Sequence, residues 1–163
     1  MRPTRVPATA ESDVGNPEGI CILSDGRICV ADTHYHRCVF FDETGQFLGS
    51  FGEKGEAPGQ FIFSCGVTQD PEGNLYVSEY GGNDRVQKFT DQGECLMQFG
   101  SVGTGPGEFQ RASGLVWHDG TLYVADVINN RVQAFDESGE FDRIVNSADG
   151  ADLDYPYDVV VQD

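Results

Sequence analysis

The chain has 163 residues, with 10 Lys and Arg against 27 Asp and Glu, for a formal charge of −17. Nucleic-acid affinity comes mostly from Lys and Arg neutralising phosphates, so this balance excludes DNA or RNA as a main partner. A membrane span needs about 18 consecutive apolar residues and none is present, whereas 39% hydrophobic and 11% aromatic residues suffice for a folded core.

Residues 1–16 carry Arg2 and Arg5 but no apolar stretch of the kind a secretory signal needs, and read as a flexible extension. From residue 11 onward the charge is 8 − 27 = −19. From residue 17 the chain repeats itself. Val30, Val77 and Val124 are 47 apart, as are Gly26, Gly73 and Gly120. A period of that size belongs to a repeat architecture whose units stack on one another.

Each unit contains four short apolar or alternating runs bounded by Asp-Gly, Glu-Gly or Gln/Ser-Gly turns, which predicts four strands, a to d. In the first unit they are 20–23, 27–31, 38–41 and 47–51. In the second they are 67–69, 74–78, 86–89 and 95–99, and in the third 115–117, 121–125, 132–135 and 141–145. Between units, Gly55/Gly103, Pro58/Pro106, Gly59/Gly107 and Phe61/Phe109 recur 48 apart, as expected of a Pro-Gly turn and a buried aromatic carrying the chain across to the next unit. The expected fold is all-β, a propeller of four-stranded antiparallel blades at 17–61, 62–109 and 110–152, with a fourth blade starting at 153–163 and a strand at 159–161.

The PGxF linkers, the inner-strand glycines Gly19, Gly66 and Gly114, the VAD/VSE/VAD of strand b and the HR/DR/NR before strand c resemble the NHL repeat. That resemblance implies a propeller usually closed by six blades. Three blades and one strand leave two faces uncovered, which predicts either a stretch of a longer six-bladed chain or a homodimer of two copies completing one ring.

Asp32, Glu79 and Asp126 end strand b, and Arg37, Arg85 and Arg131 precede strand c, 5, 6 and 5 residues on. An acid and a guanidinium at the ends of so short a connection can pair, and their recurrence in every unit marks them as structural. Residues that break the repeat are the functional candidates, because variable loops on a rigid scaffold carry binding. These are His34, Tyr35 and His36 in the first b–c loop, Tyr80 and Asn83 in the second, and Asn129 and Asn130 in the third. The three loops are expected on one face, there to meet a protein, a peptide or a small ligand.

His34 and His36 beside Asp32 also suit a divalent cation such as zinc, although an i, i+2 pair alone is a weak signal, and no cofactor is expected. His118 reads as the polar end of a strand. The alternative function is a metal-dependent lyase or lactonase-like hydrolase. Peptide-amidoglycolate lyases share the propeller and use an axial metal, and gluconolactonase-like propellers hold a cation through Glu, Asn and Asp, for which Glu18 and Asp158 are the positional candidates. The acidic run 149–154 lacks calcium-loop spacing and reads as a solvated linker. The RNA binding of some NHL proteins needs a basic face, and few cations stand outside the scaffold arginines, Arg27, Lys54, Lys88 and Arg111 among them. Cys21, Cys29, Cys38, Cys65 and Cys95 have no CxxC spacing and read as small buried hydrophobes in a reducing, cytoplasmic compartment.

Overall fold

The computed structural model describes residues 14–145 and 153–162. Most of the expected N-terminal extension, at 1–13, and most of the acidic run, at 149–152, lie outside the described residues. Three four-stranded sheets form in chain order, each an antiparallel meander. The first contains β1 (Pro17–Ile22), β2 (Ile28–Asp32), β3 (Arg37–Phe41) and β4 (Phe47–Phe51). The second contains β5 (Phe63–Gln69), β6 (Leu75–Tyr80), β7 (Arg85–Phe89) and β8 (Cys95–Phe99), and the third β9 (Ala112–His118), β10 (Thr121–Asp126), β11 (Arg131–Phe135) and β12 (Phe141–Val145).

All strands d stand as expected, but the inner strands start earlier than the alternation indicated, at 17, 63 and 112 in place of 20, 67 and 115. The cause is a register shift in each inner pair, between Pro17 and Gly19, between Ser64 and Val67, and opposite Val124 to Asp126. A bulge exchanges the faces of the side chains before it, so the alternation breaks while the strand continues. The strand expected at 159–161 is absent. A strand needs a ladder partner, and among the described residues this segment's backbone-to-backbone bonds to the third blade are isolated ones, from Gly114 N to Tyr157 O at 2.9 Å and from Leu153 N to Asn130 O at 3.0 Å.

The inner strands set the arrangement of the blades. A Cβ on Gly19 would lie 2.2 Å from the Cys65 carbonyl oxygen, and one on Gly66 2.5 Å from the Ser113 carbonyl oxygen. One on Gly114 would lie 2.1 Å from Asp158 Oδ1, so Asp158 follows the three glycines in the same line. Near the axis, backbones come closer than a side chain permits, and this is why glycine stands there.

Further out, the blades are wide enough apart for aromatic packing. Phe61 from the first linker is fully buried between Phe51 of one blade and Phe89 of the next, with ring centroids at 6.4 and 5.6 Å. Phe109 repeats this against Phe135 at 5.5 Å. The two cores therefore lie between blades, one of Leu23, Cys29, Phe40, Val67 and Val77, the other of Tyr76, Val86, Leu115 and Val124. On the outward side of β1, Ile20 and Ile22 are 68% and 75% exposed, with no described blade packed against them.

The c–d turns show how one geometry is reached by two chemistries. Asp42 Oδ1 accepts bonds from Thr44 Oγ1 at 2.7 Å and from the amides of Thr44 and Gln46, and Asp136 does the same with Ser138 and Glu140. In the middle blade the acceptor is the hydroxyl of Thr90. The bonds from Thr44 and Ser138 hold Asp42 and Asp136 below the usual carboxylate range. A carboxyl depressed in the folded state adds stability above its unfolded pKa of about 3.9 and loses it as pH falls through the lower folded value. Hydrogen exchange measured down through that window is expected to show the Gln46 and Glu140 amides losing protection before that of Glu94, whose acceptor, the Thr90 hydroxyl, does not titrate. Equal loss at all three would refute this account.

Candidate binding face at the b–c loops

Each b–c loop is anchored at its two ends. Asp32, Glu79 and Asp126 are fully buried and accept Arg37, Arg85 and Arg131 Nε at 3.1, 2.5 and 2.8 Å. Their other oxygens accept the backbone amides of Gly15, Ile62 and Gln110, each at 2.8 Å, where the chain enters the inner strand. Burial lifts Glu79 above the ordinary range against the pull of the Ile62 amide and Arg85. Arg85 goes on to the carbonyls of Glu56, Ala57 and Gln60, and Arg131 to those of Thr104, Gly105 and Glu108. Gln87 and Gln133 clamp the same linkers through Gly59 and Gly107, whereas the first blade has Val39 at that register position. The acid, the arginine and the glutamine thus tie b–c loop, linker and strand together.

On this base the repeat-breaking residues divide into three groups. Asn83 reaches Glu79 Oε1 at 3.4 Å, and Asn129 Nδ2 donates to Gly103 O and Asp126 Oδ2, both at 2.9 Å. Asn130 has a left-handed backbone at φ 55, and its Oδ1 accepts the Tyr155 amide at 3.1 Å. These three side chains are engaged with the scaffold. Tyr35 is exposed at the edge of the first blade, stacked by Arg37 at 5.2 Å and packed on Gly15.

The remaining three come together with residues that sequence alone did not single out. His34 and His36 flank Phe63 at 6.0 and 5.7 Å, and His36 Nδ1 donates to the Ile62 carbonyl. Phe63 stacks on Tyr80 at 5.4 Å, and the Arg111 guanidinium lies 4.7 Å over Tyr80 and 5.2 Å over Tyr157. A continuous run of rings and one cation therefore crosses from the first loop to the mouth of the axis. Phe63 was hidden because it lies before the bulge of β5, and Arg111 because nothing in its spacing marks it.

Beneath this run, a cavity of about 470 Å³ follows the inner strands, lined among others by Glu18, Cys65, Ser113 and Asp158. Glu18 accepts Tyr80 Oη at 3.0 Å and Cys65 Sγ at 3.1 Å. Burial, and then the bond to Glu18, pushes Tyr80 up to about 12. Burial likewise pushes the Cys65 thiol up to about 12, so at neutral pH it is a proton donor and a poor nucleophile. Glu18 and Asp158 line one cavity, but among the described residues no three His, Cys, Asp or Glu side chains gather as a metal site requires. No step through a metal is derived from this donor set.

The NHL repeat family model matches residues 15–39, which make up the inner hairpin and b–c loop of the first blade. The chain contains an NHL repeat. It is 28% identical over 131 residues to Protein brain tumor of Drosophila melanogaster, covering 79% of this chain and 12% of that protein. It is 35% identical over 57 residues to RING finger protein nhl-1 of Caenorhabditis elegans, covering 35% of this chain and 6% of that protein. The chain thus spans a small part of these curated relatives.

Among solved structures, the chain superposes on virginiamycin B lyase from Staphylococcus aureus with TM-score 0.60 at 19% identity, over 83% of this chain and 43% of that one. Hydrazine synthase of Kuenenia stuttgartiensis gives 0.65 at 18%, over 94% and 40%, and the WD40 repeats of RRP9 give 0.60 at 14%, over 79% and 38%. At such identities the likeness is one of fold, a propeller arc of stacked four-stranded blades. No helix among the described residues is long and apolar enough to cross a membrane.

Proposed function

We propose that this propeller is a binding scaffold whose b–c loop face captures a protein or peptide partner, or a small ligand. The observation that carries the reading is the run His34, His36, Phe63, Tyr80, Arg111 and Tyr157 across one face of the blades. Aromatic side chains and arginine are the residues that dominate binding energy at interfaces, because they bury large area at low entropic cost. The scaffold beneath them is rigid, since the buried acid and arginine pairs hold both ends of each loop, so little ordering cost falls on the binding step.

Panning a peptide-display library against the purified chain tests this. Selected peptides are expected to lose about tenfold or more in affinity for Tyr80→Ala and Phe63→Ala. They should keep it for Glu43→Ala, on the exposed c–d turn of the opposite rim. Peptides that bind Tyr80→Ala undiminished and fail on Glu43→Ala would place the binding surface elsewhere.

A further inference from the structure

Arg111 differs from the other described arginines. Arg27, Arg37, Arg85, Arg131 and Arg143 each have a carboxylate partner, whereas no described carboxylate lies within ion-pair distance of Arg111. Its Nε is buried and without a hydrogen-bond partner. In a chain of charge −17, an arginine without an acid is held away from abundant partners by its surroundings. Those surroundings are Tyr80 and Tyr157, the two rings over which its guanidinium lies.

Its backbone is held just as firmly. Arg111 has φ 66, a left-handed conformation that is strained for a non-glycine residue. The Arg111 amide donates to Asp84 Oδ1, and its carbonyl accepts the Val127 amide at 3.2 Å. Strain retained by surrounding bonds marks positions whose geometry has a use. Arg111 also separates two hollows. One is the axial cavity, and the other, of about 340 Å³, lies between the second and third loops with Tyr80, Gly82, Val102 and Ile128 in its wall. Val102 and Ile128 are 53% and 52% exposed, an uncovered apolar pair beside an unpaired planar cation.

We propose that this corner of the face binds the free C-terminus of a peptide, with the terminal carboxylate on the Arg111 fork and an apolar last side chain between Val102 and Ile128. A guanidinium with its edge unoccupied takes a carboxylate in two parallel hydrogen bonds, and the adjoining apolar walls suit an aliphatic or aromatic residue attached one atom away. The net charge selects among carboxylate sources. A segment bearing several Asp or Glu meets the repulsion of the whole surface, while a single terminal carboxylate on an otherwise neutral peptide does not. The inference rests on the reading of this face as the binding face.

The Nε–H of Arg111 is a nitrogen-15 NMR reporter in the full chain, and the probes are Gly-Gly-Leu, its C-terminal amide, and Gly-Glu-Leu amide. The free acid is expected to shift this resonance saturably, and both amides to bind about tenfold or more weakly. Arg111→Gln, checked as folded by its amide spectrum, should abolish the difference between acid and amide. Equal binding of the acid and its amide would overturn the proposal, and so would equal binding of Gly-Glu-Leu amide, which carries its carboxylate on a side chain. If the acid leaves Arg111 unmoved while library peptides still lose affinity for Tyr80→Ala, the terminal site falls and the binding face stands. If Tyr80→Ala is also without effect, both fall.

Discussion

Arg85→Met is expected to destabilise the chain by about 3–5 kcal/mol, the cost of leaving a buried charge without its partner. Methionine keeps the approximate volume and removes every donor. Glu79, fully buried, then loses its 2.5 Å bond, and the carbonyls of Glu56, Ala57 and Gln60 lose the fork that holds the linker. The penalty should depend on pH in a defined sense. Burial already raises Glu79, and removing the guanidinium raises it further. A carboxyl raised in the folded state costs nothing below its unfolded pKa, and stability is lost as pH rises through the folded value. The difference between variant and parent should therefore be largest at neutral pH and shrink on acidification toward about 4.3. Urea unfolding of both proteins at pH 7 and pH 5 checks this. A penalty below about 1 kcal/mol, the size of an exposed pair, would mean that the repeated acid and arginine are ornamental to the blade.

Gly66→Ala carries the second large effect, at about 3 kcal/mol. The added methyl would lie 2.5 Å from both the Ser113 carbonyl oxygen and Leu115 Cδ2, and 3.0 Å from Ser78 Oγ. The carbonyl is backbone of the neighbouring inner strand and accepts Ser78 Oγ at 2.5 Å, while Ser78 Oγ accepts the Gly66 amide at 2.8 Å. Relief would require moving one blade against the next. Gly26→Ala is the control. It has φ +88 but open space around it, so only the backbone cost of about 1 kcal/mol applies. Equal penalties in urea melts would remove the close approach of the inner strands as the reason for glycine there.

Most of the scaffold was readable because it is written three times. The 47-residue interval, the turn glycines and the PGxF linkers each follow from a local requirement, such as a positive φ, a tight hairpin or a ring filling the gap between blades. Such requirements act on the residue type at one position, so repetition exposes them. The acid and arginine of each b–c connection were legible for the same reason. The beginnings of the inner strands were not, because a bulge keeps the hydrogen bonding and breaks the alternation.

The candidate site was legible only in part. His34, His36 and Tyr80 stand out by departing from the repeat, and they do gather on one face. Asn83 and Asn129 depart from it equally, yet their amides turn back to Glu79 and Asp126. A short amide side chain next to a buried carboxylate finds its partner locally, and nothing in its spacing separates that outcome from a residue presented to a ligand. By itself, the sequence determined the fold class, the strands to within a few residues and the scaffold pairs, since all of these depend on composition, period or local geometry. Only the tertiary structure decided that Phe63, Arg111 and Tyr157 join Tyr80, and that no described carboxylate pairs with Arg111. Phe63 meets Tyr80 through the register of β5 on β6, which the bulge conceals, and Arg111 meets Tyr80 and Tyr157 across 31 and 46 residues, where contact is set by how the blades and the C-terminal segment pack and leaves no mark on the spacing of any one of them.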